Sequence, residues 1–291
     1  MFDTFKNRLE VRGILWTVTA LRISAGRSLD PIGTDLPVIK DALGRPLIPG
    51  SSFKGALRSR LESFLRGIVG EDLNLVANPA NEDEWSITAS QMRQLKVKHV
   101  KNGISDDRAL TREIIKRTDL ISRLFGSPWL ASKFQVRDLT IHEPENYWFG
   151  QYQERDGVVI DRDTETAAEG KLYDFQVVPA GTPFVFQAIV ENAEDWELGM
   201  LMIGLHQFET EQIPLGGGRS RGLGVVRLEI TSQRWIDVED NPEFLLTYLQ
   251  KLIREDPTAY EEAADFKDEW VRKFIDRLET ISQTNLANAP V

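Results

Sequence analysis

The order of strand and helix patterns places this 291-residue chain in the α/β class, with an α+β core. Two amphipathic helix patterns, one starting near Pro49 and one at Asp195, are each preceded and followed by strand patterns. Leu9–Ser24 has the imperfect apolar–polar alternation of a long strand. The other strand patterns are Phe134–His142, Tyr173–Glu191 with a break at 179–183, and Val225–Ile230.

The first half of the chain is predicted to hold a short hairpin and a long helix. Val38–Ile48 indicates a hairpin that turns at Asp41–Gly44. The stretch Pro49-Gly50-Ser51-Ser52 is typical of a helix start, because serine side chains can cap the first free amides. The helix is predicted to run to about Val69, with an apolar face formed by Phe53, Leu57, Leu61 and Phe64/Leu65.

Three segments are predicted to lie outside the core. Residues 70–118 are polar without strong periodicity, which indicates a helical or loop insertion that is partly mobile. Residues 143–171 are long and polar, and we interpret them as a protruding β-hairpin. Residues 236–291 are predicted to form an acidic helical extension with a break at Pro257, which leaves residues 1–235 as the main domain.

Without the insertions, the predicted order is strand, helix, strand, strand or hairpin, helix, strand. This is the order of the ferredoxin-like fold, which RNA-recognition modules also use. The sequence therefore predicts a ferredoxin-like, RRM-like palm that carries a protruding hairpin, an insertion and a C-terminal helical extension.

Composition excludes several classes of protein. Hydrophobic residues make up 41% of the chain, enough for a sizeable core, and the absence of cysteine leaves no thiolate metal site. The start MFDTFKNRLEV lacks the apolar run of a signal peptide. No stretch approaches the roughly 20 apolar residues of a membrane helix. We therefore expect a cytoplasmic protein without a membrane partner.

The net charge of −10 is unevenly distributed along the chain. Residues 236–291 carry 13 acidic and 6 basic residues, whereas residues 1–235 carry 32 acidic and 29 basic ones. Lys40–Arg66 has 6 basic residues against 2 acidic, and the cluster Arg219, Arg221 and Arg227 contains no acidic residue. Because phosphate binding depends on such local fields, the acidic total does not exclude a nucleic-acid partner.

The glycine loop, LGGGRSRGLG at 215–224, is a candidate phosphate cradle. Its glycines permit close backbone approach, and Arg219 and Arg221 place guanidinium groups beside exposed amides. The alternative is a tight helix-to-strand turn with solvated arginines. The loop follows a helix and precedes a strand, which is the reverse of a Rossmann fingerprint.

The predicted helix start bearing Ser51, Ser52 and Lys54 is a second candidate anion site, since free amides and the helix dipole attract negative charge. The alternative is ordinary capping. The stretch GRPLIPGSS resembles a P-loop, but five residues separate its glycines and no lysine follows Gly50, so ATP binding is rejected.

The acidic loop SLDPIGTD places Asp30 and Asp35 near basic segments. A carboxylate beside bound RNA can orient a 2′-hydroxyl or hold a hydrated Mg²⁺, although two turn-forming aspartates are the commoner interpretation. The histidines offer no metal-ligand spacing and no support for Ser-His-Asp catalysis; they are His99, His142 and His206.

Three segments together resemble one family: PVIKDALGRPLIPGSSFKGALRSRLE from Pro37, SRLFGS from Ser122 and LGGGRSRGLGVVRLE from Leu215. They look like the RAMP (repeat-associated mysterious protein) superfamily, in particular the backbone subunit of type III (Csm/Cmr) CRISPR effector complexes. The intervening IDRDTETAAEGKLYDFQVVPAGTPF is similar to that subunit's thumb hairpin and the strand after it. The resemblance covers most of residues 9–230.

The resemblance implies a palm whose copies stack along a guide RNA, and a thumb that displaces a nucleotide of the guide–target duplex. It implies that Asp35, in IGTDLPVIKD, cuts target RNA with Mg²⁺ or another divalent cation, with Asp30 as the fallback. The glycine loop has a largely structural part in this family. The implied RNA-binding positions are Arg22, Ser51, Ser52, Lys54, Arg58, Gly217, Gly218, Arg219 and Arg221, with Arg162 and Thr164 in the thumb.

The partners implied by the resemblance are a CRISPR guide RNA, a single-stranded target RNA and other effector subunits. The insertion is longer than in compact members and the acidic extension is additional, which suggests contacts with neighbouring subunits. Two alternatives stay open. One is a structural RNA-binding subunit in which Asp35 is inert, and the other is a guide-processing ribonuclease that uses a histidine base.

Overall fold

The computed structural model describes residues 4–26, 34–101, 104–142, 148, 150–160 and 167–287. Its strands are β1 (Asn7–Thr17), β2 (Val100–Lys101), β3 (Ile104–Ser105), β4 (Phe134–Val136), β5 (Gln153–Ile160), β6 (Ala167–Val177), β7 (Pro183–Glu191), β8 (Val226–Asp237) and β9 (Glu261–Glu262). Its α-helices are α1 (Gly50–Val69), α2 (Ala89–Lys98), α3 (Asp107–Arg117), α4 (Leu120–Phe125), α5 (Asp195–Glu209), α6 (Pro242–Ile253) and α7 (Lys267–Ala287).

The core is a five-stranded antiparallel sheet in the order β4-β7-β1-β8-β9. The central strand β1 pairs with β7 on one side and with β8 on the other. Helix α1 connects β1 to β4, with the insertion between them, and α5 connects β7 to β8. Two βαβ units therefore interlock in one sheet, which is the split connectivity of the ferredoxin-like fold, and the predicted fold class is confirmed.

Three aromatic rings join α1 and α5 to the sheet. Phe53 of α1 lies 4.2 Å from Phe208 of α5 and 4.8 Å from Phe186 of β7, measured between ring centroids. All three side chains are fully buried. Stacked and tilted rings at these distances add to the energy of burial itself, so the first turn of α1 is held firmly against the core.

The strand predicted from Leu9 to Ser24 is wrong at its C-terminal end, because β1 stops at Thr17. There the Thr17 hydroxyl donates to the Pro179 carbonyl at 2.8 Å, and the Gly181 amide donates to the Thr17 carbonyl at 2.6 Å. These bonds replace the ladder, and only isolated bridges such as Leu21↔Val178 continue beyond them.

The predicted protruding hairpin is formed by β5 and β6, which pair from Gln153↔Val177 to Ile160↔Ala167. We call this hairpin the thumb. The predicted insertion contains α2, α3 and the small β2–β3 ladder. Its residues Ile87, Met92, Leu95 and Ile114 form a separate apolar cluster together with Leu130, which follows α4.

The helices predicted on either side of Pro257 are confirmed as α6 and α7. Helix α7 packs into the main core, where Trp270 meets Trp235 edge-on with ring centroids 5.0 Å apart. The close approach of α7 to α5 depends on Gly199 of α5, since a Cβ there would lie 2.0 Å from the Trp270 carbonyl oxygen. No helix among the described residues is long and apolar enough to cross a membrane.

Gly199→Ala is expected to lower the free energy of unfolding by about 1–3 kcal/mol, because the added methyl group forces α7 away from α5. Urea denaturation measures the change. Gly67→Ala is the matched control in α1, where a Cβ meets nothing within 4 Å. It should be neutral or stabilising by about 0.5–1 kcal/mol. Equal stability of the two variants would contradict the proposed packing.

Candidate nucleic-acid interface

A groove of about 530 Å³ lies between α1 and the glycine loop. We call it the palm groove. The side formed by α1 is polar or small, and the opposite side is mixed. The lining consists of Ser51, Ser52, Gly55, Ala56, Ser59, Arg60 and Ser63 from α1, with Gln212, Ile213, Pro214, Gly216 and Arg219 opposite. The structure therefore brings together two sites that the sequence predicted separately, the helix start and the glycine loop.

The start of α1 is capped differently from the prediction. Pro49 occupies the N-cap position and no side chain of the cap residue bonds the helix, so the predicted serine cap is wrong. Instead, the Gly50 amide donates to the Asp138 carboxylate at 2.8 Å. Ser51 is exposed and Ser52 is half-buried, and both line the palm groove.

Glycine is required in the loop because the segment after β1 passes very close to it. Gly216 has a φ of +73°, and a Cβ there would lie 2.1 Å from the Arg22 carbonyl oxygen. The Gly217 amide donates to that same oxygen at 2.8 Å, and the Gly224 amide donates to the Ala20 carbonyl at 2.9 Å. These contacts fix Arg22 beside the glycine loop.

Three arginines form a cationic row from the palm groove to the thumb. Arg219 is exposed and donates through Nε to the Gly216 carbonyl at 3.2 Å. Arg221 donates to the Tyr173 hydroxyl at 2.9 Å, and the Arg22 guanidinium lies 4.6 Å from the centroid of Phe175. Among the described residues, none of the three arginines forms an ion pair with a carboxylate, so their charge is available to a ligand.

Lys54 and Arg58 point away from the palm groove. The Lys54 ammonium donates to the Ser132 hydroxyl at 2.6 Å and to the Phe134 carbonyl at 3.2 Å. Burial lowers the pKa of Lys54, and the nearby charge of Arg58 lowers it further. The RNA-binding role of both residues stays a prediction, but the structure does not bring them to the groove that Ser51 and Ser52 line.

Arg58 is bound on three sides by the protein. It donates to Glu62 at 2.7 Å, to the Ser122 hydroxyl at 3.0 Å and to the Gly126 carbonyl at 3.1 Å. Its side chain is only 17% exposed. This arrangement ties α1 to α4 and to the turn that follows α4.

Asp35 lies at the base of the thumb, between attachments to both thumb strands. On one side the Thr34 hydroxyl donates to the Glu154 carboxylate of β5 at 2.7 Å. On the other, Leu36 forms a parallel bridge with Phe175 of β6, and its carbonyl accepts from the Gln176 amide at 3.1 Å. Asp35 is half-buried, and its carboxylate has no hydrogen-bond or ion-pair partner among the described residues.

The carboxylates at this place fit one kind of metal binding. Mg²⁺ keeps several waters and takes one or two carboxylates together with phosphate oxygens. Asp35 can supply one such carboxylate, and the Glu154 carboxylate accepts from the hydroxyl of the adjacent Thr34. The described residues hold no cluster of three or more His, Asp or Glu side chains that could enclose a metal ion. A divalent cation at Asp35 would therefore need most of its waters and a phosphate oxygen as its other ligands.

Several predicted positions cannot be placed, and others were missed. Asp30, Arg162 and Thr164 lie outside the described residues. Sequence reasoning missed Arg60 and Gln212, both of which line the palm groove. A signal for Arg60 exists in the sequence, because the residues Ser52, Ala56 and Arg60 recur at every fourth position and so share one face of α1.

The histidines lie on different elements of the fold. His99 ends α2 in the insertion, His142 follows β4, and His206 lies on α5 with its Nδ1 3.1 Å from a Glu209 carboxylate oxygen. None of them lines the palm groove as described.

The sequence is similar to that of known proteins over most of its length. The family model of the RAMP superfamily matches residues 15–227. The CRISPR system Cms endoribonuclease Csm3 of Enterococcus italicus is 27% identical over 228 residues, which make up 78% of this chain and 92% of that protein. The protein of the same name from Methanocaldococcus jannaschii is 29% identical over 229 residues, or 77% of this chain and 79% of its own. The family match includes Asp35 and the palm groove and ends before α6.

Arg58→Ala is expected to lower the free energy of unfolding by about 2 kcal/mol, because it leaves Glu62, Ser122 and the Gly126 carbonyl short of a donor. Arg219→Ala removes an exposed arginine and should change that free energy by less than about 0.5 kcal/mol. Urea denaturation of the two variants checks the difference. A fully stable Arg58→Ala protein would show that this arginine is not structural.

Proposed function

Because this chain belongs to the RAMP superfamily, we propose that it is a backbone subunit of a type III CRISPR effector complex in the cytoplasm. In that complex it binds a guide RNA and cleaves the complementary target RNA. Two relatives with endoribonuclease in their names align with 78% and 77% of the chain, which supports the proposal. The observation that carries the catalytic part is the Asp35 carboxylate, which has no partner in the part of the chain that the structure describes and is held at the base of the thumb by Thr34 and Leu36.

The palm groove and the cationic row supply the binding surface. Phosphates lie in the palm groove, beside the serine side chains of α1, and against Arg22, Arg219 and Arg221. These contacts are made with the sugar–phosphate chain and not with the bases. Sequence specificity comes from base pairing between guide and target, as in other RNA-guided effectors.

Cleavage is a matter of position in this proposal. The thumb holds the target strand out of helical geometry, which brings a 2′-hydroxyl in line with its own phosphate. Asp35 lies at the thumb base and orients that hydroxyl or accepts its proton. A divalent cation such as Mg²⁺, held by Asp35 through water, would supply neutralisation of the phosphate charge.

Two other functions are distinguished by the same residues. In a purely structural RNA-binding subunit, Asp35 would be inert while the palm groove and cationic row act as described. A guide-processing ribonuclease would need a histidine base, and none of His99, His142 and His206 lines the palm groove as described.

Asp35→Ala is expected to abolish target RNA cleavage in the reconstituted complex while guide binding stays intact, because the carboxylate supports no contact among the described residues. Cleavage is followed on a labelled target, and guide binding by co-purification. Asp268→Ala, which removes an exposed carboxylate from α7, is the control and should cut normally. Unchanged cleavage by the Asp35→Ala complex would assign the protein to the structural alternative.

RNA binding is expected to fall steeply as salt rises from about 50 to 200 mM, because each phosphate contact releases a counterion. Replacing Arg60 and Arg219 together by glutamine should weaken binding and lower the slope of log K against log salt by about 0.7 for each lost contact. Fluorescence anisotropy with labelled single-stranded RNA measures both. A flat salt dependence of the unmodified protein would contradict the phosphate-binding surface.

A further inference from the structure

The second half of the insertion carries a charge opposite to that of the whole protein. Residues 93–117 contain 8 basic and 3 acidic residues, a net charge of +5 in a chain of net −10. This excess belongs neither to the palm groove nor to the cationic row. It is concentrated on α2 and α3, which lie outside the main sheet and its two connecting helices.

The fold of the insertion turns these charges outward. Helices α2 and α3 share one apolar cluster, in which Met92 and Leu95 of α2 lie with Ile114 of α3. The capping box of Thr88 and Gln91 fixes the start of α2. The basic side chains then lie on the solvent side, and all seven described ones are exposed: Arg93, Lys96, Lys98, Arg108, Arg112, Lys116 and Arg117.

Helix α3 presents a regular row of cations. Arg108, Arg112 and Lys116 follow at every fourth position, so they lie on one face with a rise of about 6 Å from one to the next. The buried Ile114 lies on the opposite face of the helix. A row of this kind matches a chain of regularly spaced negative charges.

Little of this charge is neutralised by the protein. Among the described residues of the two helices, only Arg117 forms an ion pair, with Glu113 at 2.8 Å. The hydrogen bond from Arg117 lowers the pKa of Glu113, and the charges of Lys98 and Lys116 lower it further. One carboxylate is therefore shared by several cations, and the remaining charge faces solvent.

The surface is fixed relative to the palm. The Trp129 indole donates to the Ile87 carbonyl at 2.8 Å, and Arg66 of α1 donates to the Ala77 carbonyl at 3.1 Å. The Ser86 hydroxyl donates to the Asp119 carboxylate at 3.2 Å. A ligand held by the insertion would consequently keep a constant position with respect to the palm groove.

We propose that this insertion face, formed by Arg93, Lys96, Lys98, Arg108, Arg112 and Lys116, is a second RNA-binding surface. It holds the phosphate backbone of RNA outside the palm groove, and it rests on the proposed function. No Phe, Trp or Tyr occurs between residues 89 and 117, so the surface has no aromatic platform for bases. Binding there is independent of sequence.

An acidic protein surface is the competing partner, for example the extension of a second copy, which is net acidic. The insertion face lacks the apolar and aromatic residues of a typical protein interface. Protein interfaces have apolar, aromatic-rich centres and few lysines, whereas the exposed large apolar residues here are Val97 and Val100. A lysine- and arginine-rich surface without an apolar centre favours a phosphate chain.

The experiment compares two full-length triple variants. Arg108→Gln, Arg112→Gln and Lys116→Gln removes the row on α3. The control is the triple variant Arg254→Gln, Lys267→Gln and Arg272→Gln in the acidic extension. It also removes two arginines and one lysine, so it changes the net charge equally. Urea denaturation confirms that both variants fold.

Affinity for a labelled single-stranded RNA is measured by anisotropy over a range of salt. The α3 variant is expected to bind on the order of tenfold more weakly at low salt, with a slope of log K against log salt that is smaller by about 2. The control variant should bind like the unmodified protein. Several unrelated RNA sequences should lose affinity equally.

The outcomes separate this proposal from the proposed function. If the Arg60→Gln, Arg219→Gln protein loses affinity while the α3 variant matches its control, the insertion proposal is overturned and the palm groove stands. If the unmodified protein binds no RNA, the proposed function fails with it. If the α3 variant keeps its RNA affinity but loses self-association in sedimentation, the face binds an acidic protein surface instead.

Discussion

One small apolar cluster joins the thumb base, the glycine loop and the segment that carries Asp35. Phe175 and Val177 of the thumb pack with Ala20, after β1, and with Leu223 of the glycine loop. Leu36 and Tyr173 pack against the same cluster. The same cluster therefore positions the segment with Asp35, the cationic row and the thumb base. A loss of packing there would move the carboxylate and the arginines together.

Around that cluster, ring and hydrogen-bond contacts hold two arginines of the cationic row. The aromatic rings that the cluster presents also support cations: Phe175 lies under Arg22, and the Tyr173 hydroxyl accepts from Arg221. A ring or a neutral hydroxyl leaves the positive field of a guanidinium uncompensated, whereas a paired carboxylate cancels much of that field. This explains how a chain of net −10 can present a positive row beside its groove.

The two polar sides of helix α1 differ in what their side chains contact. On one side Lys54 and Arg58 bind Ser132, Ser122 and a carbonyl of the neighbouring turn. On the other side serines, Gly55 and Arg60 are left to line the palm groove. Both sides are basic in the sequence, and burial distinguishes a structural cation from one that is free to meet a ligand. The same distinction sets apart the cations of the insertion face, which the fold leaves unused.

Local patterns by themselves determined the bounds of α1 and α5 and the presence of the main strands, because helix and strand periodicities depend on residues a few positions apart. The ends of the first strand and the pairing with β9 were not among these. Only the tertiary structure decided what caps α1 and where its cations point. The cap on Gly50 comes from Asp138, 88 residues away, and the partner of Lys54 is Ser132, 78 residues away. Such contacts between distant residues leave no periodic trace in a sequence, so Asp35 could be selected by its motif but placed at the thumb base only by the fold.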